Sequence, residues 1–282
     1  MGDAAHAEPP DHEVYSKPFK VEPVFTYIDT PSNYRRFPDG DKLPKQMKVW
    51  YVQNTGKSYG GAVSRSYGFE DSPDAEIIAL GVNVGKEYGA IGIGRHGNIL
   101  QWGYWAPPSK MTKAGKELFL NCICYIKKFN GKSPLIHMSS SDRMNAIRLA
   151  ALINDIKDEE FFSSTFTKEL KKQYEGNPDG LVKYYRDNLE LIYRDKQFQV
   201  DNELKSLNIN SNRKIDTLNS LISLLNSDTQ AELAQKLLSR YTKVSFQTQE
   251  EWKNWFEKNK DRIYFSDVGG YKFLVIPEGY ID

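Results

Sequence analysis

Cysteine is scarce in this chain: Cys122 and Cys124 are the only two among 282 residues. Small disulfide scaffolds need more, and on the helix expected here the two side chains face about 200° apart, so they do not bridge each other within it. Sulfur therefore leaves the redox compartment undecided. No apolar run reaches the ~18 residues that mark a membrane-spanning helix, so no membrane span is expected. An excess of either charge is also missing. The 38 basic and 37 acidic residues leave a net charge of +1, which removes any whole-chain electrostatic case for nucleic acid or an anionic membrane. Histidine is sparse too. His6 and His12 lie near the start, and His96 and His137 stand alone with no histidine or cysteine partner at ligand spacing, so neither a metal nor another cofactor is expected.

Aromatic residues, at 13% of the chain, are plentiful beside a modest hydrophobic total of 39%, so the core is expected to rest on Tyr, Phe and Trp as much as on aliphatics. The length suits two domains. Residues 1–19 read as a flexible polar leader. Within it Ala5-His6-Ala7 matches the small-x-small pattern that follows a secretory apolar stretch, which points to a periplasmic or secreted protein; the alternative is an ordinary flexible start in a cytoplasmic one. Residues 20–138 read as a sheet-containing domain, with strands expected at Val21 to Ile28, Met47 to Val52, Ala62 to Tyr67, Ile77 to Leu80, Ala90 to Ile93 and Ile99 to Tyr104. The connection from Thr30 to Pro44 is long, with Tyr34-Arg35-Arg36-Phe37 as its anchor. A helix from Thr112 to Phe129 follows Pro107-Pro108, with Leu118, Cys122, Tyr125, Ile126 and Phe129 on one face. Residues 139–282 read as mainly helical. Ser141-Asp142 caps a helix carrying Met144 and Ile147; Ser227-x-x-Gln230 and Thr248-x-x-Glu251 are capping boxes. Short hairpins are expected across Arg194 to Gln197 and Gly269-Gly270. The fold class is thus α+β or α/β: a small sheet with a packed helix, then a mainly helical domain with short hairpins.

Several motifs imitate chemistry. Gly92-Ile93-Gly94-Arg95-His96-Gly97 matches the dinucleotide fingerprint by letter, but that fingerprint needs a helix after its last glycine, and Asn98-Ile99-Leu100-Gln101-Trp102 reads as a strand. The glycines are expected to serve a turn and close strand packing. Gly56-Lys57-Ser58 resembles the end of a phosphate loop, yet Tyr51 stands where the opening glycine belongs. Glu70, Asp71 and Asp74 gather carboxylates that suit a hard cation or acid–base work, but the preferred reading is a turn before Pro73 in which Asp71 or Ser72 caps the backbone. Cys122 sits mid-helix on an apolar face, where a thiol stays protonated and inert. Trp102, Tyr104 and Trp105 beside Pro107-Pro108 could form a stacking platform, although strand alternation sends one set of these rings inward. Trp252 and Trp255 share a helical face and read as a packing seam.

The stretch Asp74 to Gly81, the block Ala90 to Gly103 and the helix from Leu118 to Ile126 resemble the closing third of trehalose-utilisation-like domains of the class I glutamine-amidotransferase-like superfamily. This implies a partial flavodoxin-like arrangement and a link to carbohydrate use. With Gly68 to Ala75 and the helix at Trp252 to Trp255, the chain also resembles uncharacterised exported proteins of planctomycete-type bacteria. Catalytic members of the superfamily carry a nucleophilic cysteine at a strand-to-helix elbow. No cysteine precedes Gly68 here, so no catalytic residue carries over.

The expectation is therefore a non-catalytic binding or assembly protein, exported, whose protein or carbohydrate ligand meets Arg95, His96, Asn98, Tyr104 and Trp105. The alternative is a hydrolase-like enzyme acting on a carbohydrate with Asp71, Asp74 and His96 in one cleft.

Overall fold

The computed structural model describes residues 1–8, 11–57, 59–137, 140–153 and 159–280. The chain divides into two compact units, one of Met1–Glu70 with Asp74–Leu135, the other of Asp71–Pro73 with Ile136–Asp282. It is a mixed α+β fold.

In the first unit, strands β1 (Ala4–His6), β2 (Phe25–Asp29) and β3 (Gln46–Tyr51) form an antiparallel sheet in the order β1-β3-β2. Strands β4 (Ala75–Leu80), β5 (Ile91–His96) and β6 (Ile99–Trp102) form an antiparallel meander. Helix α1 (Lys113–Ile126) starts where the Thr112 hydroxyl accepts from the Gly115 amide at 3.0 Å, and buries Leu118, Cys122 and Tyr125 against Ala5, Trp50, Val52, Ile78 and Ile93. Its first turn lies so close to β3 that a Cβ on Gly115 would stand 2.0 Å from the Val52 carbonyl oxygen. Burial pushes the Cys122 thiol up to about 12, in keeping with an inert core residue.

Gly97 takes φ +55° in the turn joining β5 to β6, and its amide donates to the Asp74 carbonyl at 3.0 Å. The glycines before it serve proximity: a Cβ on Gly94 would meet the Phe69 ring at 2.6 Å. A strand, not a helix, follows Gly97, so the fingerprint there makes a hairpin. A flavodoxin-like sheet is parallel, whereas every strand pair described here is antiparallel. The strand expected from Ala62 to Tyr67 reduces to isolated bridges at Gly61 and Ser64.

The leader expected over residues 1–19 requires the largest correction. Ala4, Ala5 and His6 pair with Tyr51, Trp50 and Val49, and Ala5 is fully buried. Three residues, two of them alanine, carry no readable β pattern; the partner strand some forty residues later makes the segment extended. The His6 Nε2 lies 3.1 Å from the Tyr34 hydroxyl, and that hydroxyl also accepts from the Asn83 amide at 3.2 Å. Burial lowers the His6 pKa to about 4. Tyr34 is the anchor of the long connection, while Arg35 and Arg36 are exposed.

The second unit carries α2 (Arg143–Ala151), α3 (Glu159–Thr165), α4 (Lys168–Gln173), α5 (Pro178–Asp187), the hairpin β7 (Ile192–Arg194) and β8 (Phe198–Val200), α6 (Asn202–Ser206), α7 (Ile215–Leu224), α8 (Ala231–Tyr241), α9 (Gln249–Asn259) and the hairpin β9 (Ile263–Ser266) and β10 (Lys272–Val275). Its core joins Ile147, Leu181, Tyr185, Phe198, Leu221, Leu238 and Trp252. The Thr248–Glu251 capping box forms as expected. The one at Ser227 does not: the Ser227 amide bonds the Leu224 carbonyl, and the helix begins at Ala231 with Gln230, not Ser227, in the cap position. Met144 faces out rather than into the core. Trp252 and Trp255 meet edge to face at 5.9 Å.

A buried ion pair ties the ends of this unit together. The Arg143 guanidinium donates to both Asp267 oxygens at 2.8 and 2.7 Å, to the Leu189 carbonyl at 2.9 Å and to Asn212 at 3.1 Å. Removing one partner of such a pair strands a charge away from water, so Asp267→Ala is expected to destabilise this unit by about 3–5 kcal/mol in denaturant unfolding. The first unit is expected to weaken in mild acid. His6 is neutral when folded and binds a proton below its ordinary pKa of 6.5 when unfolded. Its share of stability is therefore intact above that value and falls by about 3 kcal/mol as pH drops toward its folded pKa. Thermal unfolding at a series of pH values should show this slope in the wild type and a flatter one in His6→Gln; equal slopes would contradict it.

Candidate functional site

The end of β3 runs on as Val52 and Gln53, and Gln53 bridges to Met111. Gln53 is fully buried, and a buried primary amide must find partners for its two N–H bonds and its carbonyl. Here Nε2 donates to Asp3 Oδ1 at 2.8 Å and to the Gly60 carbonyl at 2.8 Å, while Oε1 accepts from the Ala106 amide at 2.9 Å. Gly60 is constrained by this arrangement, since a Cβ there would stand 2.6 Å from Nε2. The Gly60 carbonyl also accepts from the Trp105 amide at 3.0 Å.

Asp3 completes the underside. Its carboxylate accepts from the Thr55 and Gly56 amides at 2.7 and 2.8 Å and from the Thr55 hydroxyl at 2.6 Å. Burial opposes its ionisation, but the hydrogen bonds from Thr55, Gln53 and the two amides outweigh that and hold its pKa below the usual carboxylate range. Three chain segments, around Asp3, Gln53 to Gly60 and Tyr104 to Ala106, are thus joined by one polar cluster.

The cluster presents two large rings to solvent. Tyr59 precedes Gly60 and is 76% exposed; Trp105, bonded to Gly60 through its amide, is 68% exposed. Pro107, Pro108 and Lys110 continue the exposed surface beyond Trp105, and Lys57 lies before Tyr59. The Pro-Pro corner is pinned where the Asn54 amide donates to the Lys110 carbonyl at 2.8 Å. The surface has flat apolar faces, an indole N–H, a phenol and two ammonium groups. That set suits non-covalent stacking and hydrogen bonding and holds no acid–base pair.

The expected binding residues separate. Trp105 and Asn98 are exposed and His96 is partly so. Tyr104 is a core residue: it pairs with Gly61, and its hydroxyl is buried without a hydrogen-bond partner. Alternation about the bridge sends Tyr104 inward and Trp105 outward. Arg95 is a structural residue as well. Only 5% exposed, it donates from Nε to Glu76 at 2.7 Å and from Nη1 to the Gly97 carbonyl at 2.8 Å, with its guanidinium 3.7 Å above the Phe129 ring. Glu76 also accepts from Tyr125 at 2.6 Å. Burial opposes ionisation of Glu76, and its bonds to His12, Arg95 and Tyr125 prevail, holding it well below the usual range.

For the alternative, Asp74 and His96 do meet, with Oδ1 and Nε2 3.3 Å apart. The other Asp74 oxygen accepts from the Leu135 amide at 2.9 Å. Asp71 belongs to the second unit, where it accepts from the Asp267 amide at 2.7 Å, and its carboxyl is pushed up by burial. No group of three His, Cys, Asp or Glu residues disposed to hold a metal occurs among the described residues, and no described helix is long and apolar enough to cross a membrane.

Sequence reasoning missed Tyr59, Asp3 and Gln53. An aromatic directly before Gly60-Gly61 was the one available signal for Tyr59; nothing local marks a glutamine whose partners lie at positions 3, 60 and 106. Comparison with known proteins finds no matching family model, no similar curated protein and no similar solved structure.

Proposed function

We propose that the first unit is a non-catalytic binding module that captures a carbohydrate by stacking on Trp105 and Tyr59. The observation that carries this reading is the pair of rings, 68% and 76% exposed, on neighbouring backbone held from beneath by the buried Gln53 amide. Exposed aromatics on a mobile loop would lose much of any stacking energy to ordering. Here the backbone is already fixed, so more of that energy is available for affinity. The apolar C–H face of a pyranose matches an indole, while its hydroxyls would meet Lys57, Lys110 and the Tyr59 phenol.

The trehalose-utilisation-like resemblance adds no support to this reading, because the block that carries it folds as an antiparallel meander and not as part of a parallel sheet. An exported location fits a saccharide ligand and belongs to this proposal. A carbohydrate hydrolase has narrower support, in the Asp74–His96 pair alone.

The test is a screen of neutral oligosaccharides on the full chain, followed by titration calorimetry of whichever binds. Trp105→Ala and Tyr59→Ala are each expected to weaken binding by about tenfold or more, with little change in melting temperature. Binding unaffected by both substitutions, or no saccharide binding across the screen with capture of proline-rich peptide instead, would overturn the carbohydrate reading.

A further inference from the structure

Strand β2 is an edge strand: β3 lies on one side, and among the described residues no strand pairs with it on the other. Two flanking bonds show which way its amides point. The Thr30 amide donates to the Lys45 carbonyl at 2.9 Å, and the Ala7 amide donates to the Lys48 carbonyl at 3.0 Å. Antiparallel ladders alternate bonded and non-bonded pairs. Thr26 and Ile28 therefore turn their main-chain groups to β3, and Phe25, Tyr27 and Asp29 turn theirs outward. The next outward positions on either side are Pro23 and Pro31, which have no N–H. The open ladder is thus three residues long and bounded by prolines. Apolar surface surrounds it: Val24 is 86%, Tyr27 64% and Phe25 42% exposed.

We propose that this edge forms a homodimer, with β2 pairing antiparallel to β2 of a second copy about a two-fold axis at Tyr27. In that register Tyr27 faces Tyr27 of the second copy, and Phe25 faces Asp29 of the second copy. Each facing pair exchanges both of its main-chain hydrogen bonds. Pro23 falls opposite Pro31 of the second copy, so no donor is stranded. Sliding the strands by two residues would set Phe25 or Asp29 against a proline and forfeit bonds.

Charge selects the same partner. The Lys48 ammonium stands 4.5 Å above the Phe25 ring, on the face where Asp29 of the second copy would lie, and the two-fold axis repeats this contact. Tyr27 and Phe25 of both copies would make a continuous aromatic strip across the axis. An open apolar edge is ordinarily an aggregation hazard, and closing it two by two between prolines leaves β2 with no open ladder for a third chain.

Sedimentation velocity of the full chain over a concentration series tests the proposal. The wild type is expected to dimerise. Tyr27→Pro removes an N–H that the sheet does not use, so it is expected to give a monomer with unchanged far-ultraviolet circular dichroism. Asp29→Lys is expected to weaken dimerisation by about tenfold, and adding Lys48→Asp to restore it. A covalent readout guards against a misfolded proline variant. Facing residues of a bonded pair lie about 5.5 Å apart at Cα, within disulfide reach, so Tyr27→Cys in a Cys124→Ser background should oxidise to a dimer far faster than Thr26→Cys. A wild type that stays monomeric, a dimer indifferent to Tyr27→Pro and Asp29→Lys, or equal cross-linking at 26 and 27 would overturn the proposal.

Discussion

The Gln53 side chain is the constraint on which the first unit's exposed surface depends. A buried amide in the wrong place costs free energy for each hydrogen bond it leaves unmade. In the right place it joins segments that share no secondary structure. Gln53 meets both requirements because Asp3, Gly60 and Ala106 supply an acceptor, an acceptor and a donor in the orientation one primary amide can satisfy. The backbone beside Tyr59 and the backbone of Trp105 are thereby held against one strand end. The stacking proposed for Trp105 and Tyr59 depends on that fixation, because rings on unfixed backbone would lose affinity to ordering.

The same means of holding the chain together recurs. Buried charges act as staples between distant segments: Asp3 to residues 53–56, Glu76 to Arg95 and Tyr125, and, in the second unit, Arg143 to Asp267. The modest hydrophobic content makes this reasonable. A core rich in Tyr and Trp brings hydroxyl and indole groups inside; those of Tyr185, Tyr241 and Trp252 find hydrogen-bond partners, whereas those of Trp50, Trp102 and Tyr104 do not. Such networks give a unique arrangement at a cost in desolvation, and they respond to pH where aliphatic cores do not.

Features set by nearby residues were legible in the sequence. The Thr112 start of α1, its buried stripe, the capping box at Thr248 and the hairpins at 194–197 and 269–270 all depend on patterns within a few residues. The glycines near position 94 were read correctly because the residues after Gly97 carry strand character. Features set at long range were not legible. Ala4 to His6 becomes a strand because β3 pairs with it, and Ala-Ala-His announces nothing by itself. Of the residues expected on the binding surface, Trp105 is exposed, whereas pairing with Gly61 draws Tyr104 inward and the Glu76 carboxylate draws Arg95 inward. The sequence marks Tyr59 only by its place before Gly60-Gly61, and its proposed role depends on Trp105 on a different segment.

The role of Gln53 is tested most directly by residue-resolved amide hydrogen exchange at Ala106, whose amide bonds the Gln53 carbonyl. In the wild type this amide should be strongly protected. In Gln53→Leu, which keeps the bulk and removes the bond, protection at Ala106 should collapse while helix α1 retains its own. Ala106 exchanging freely in the wild type, or remaining protected in Gln53→Leu, would contradict the account.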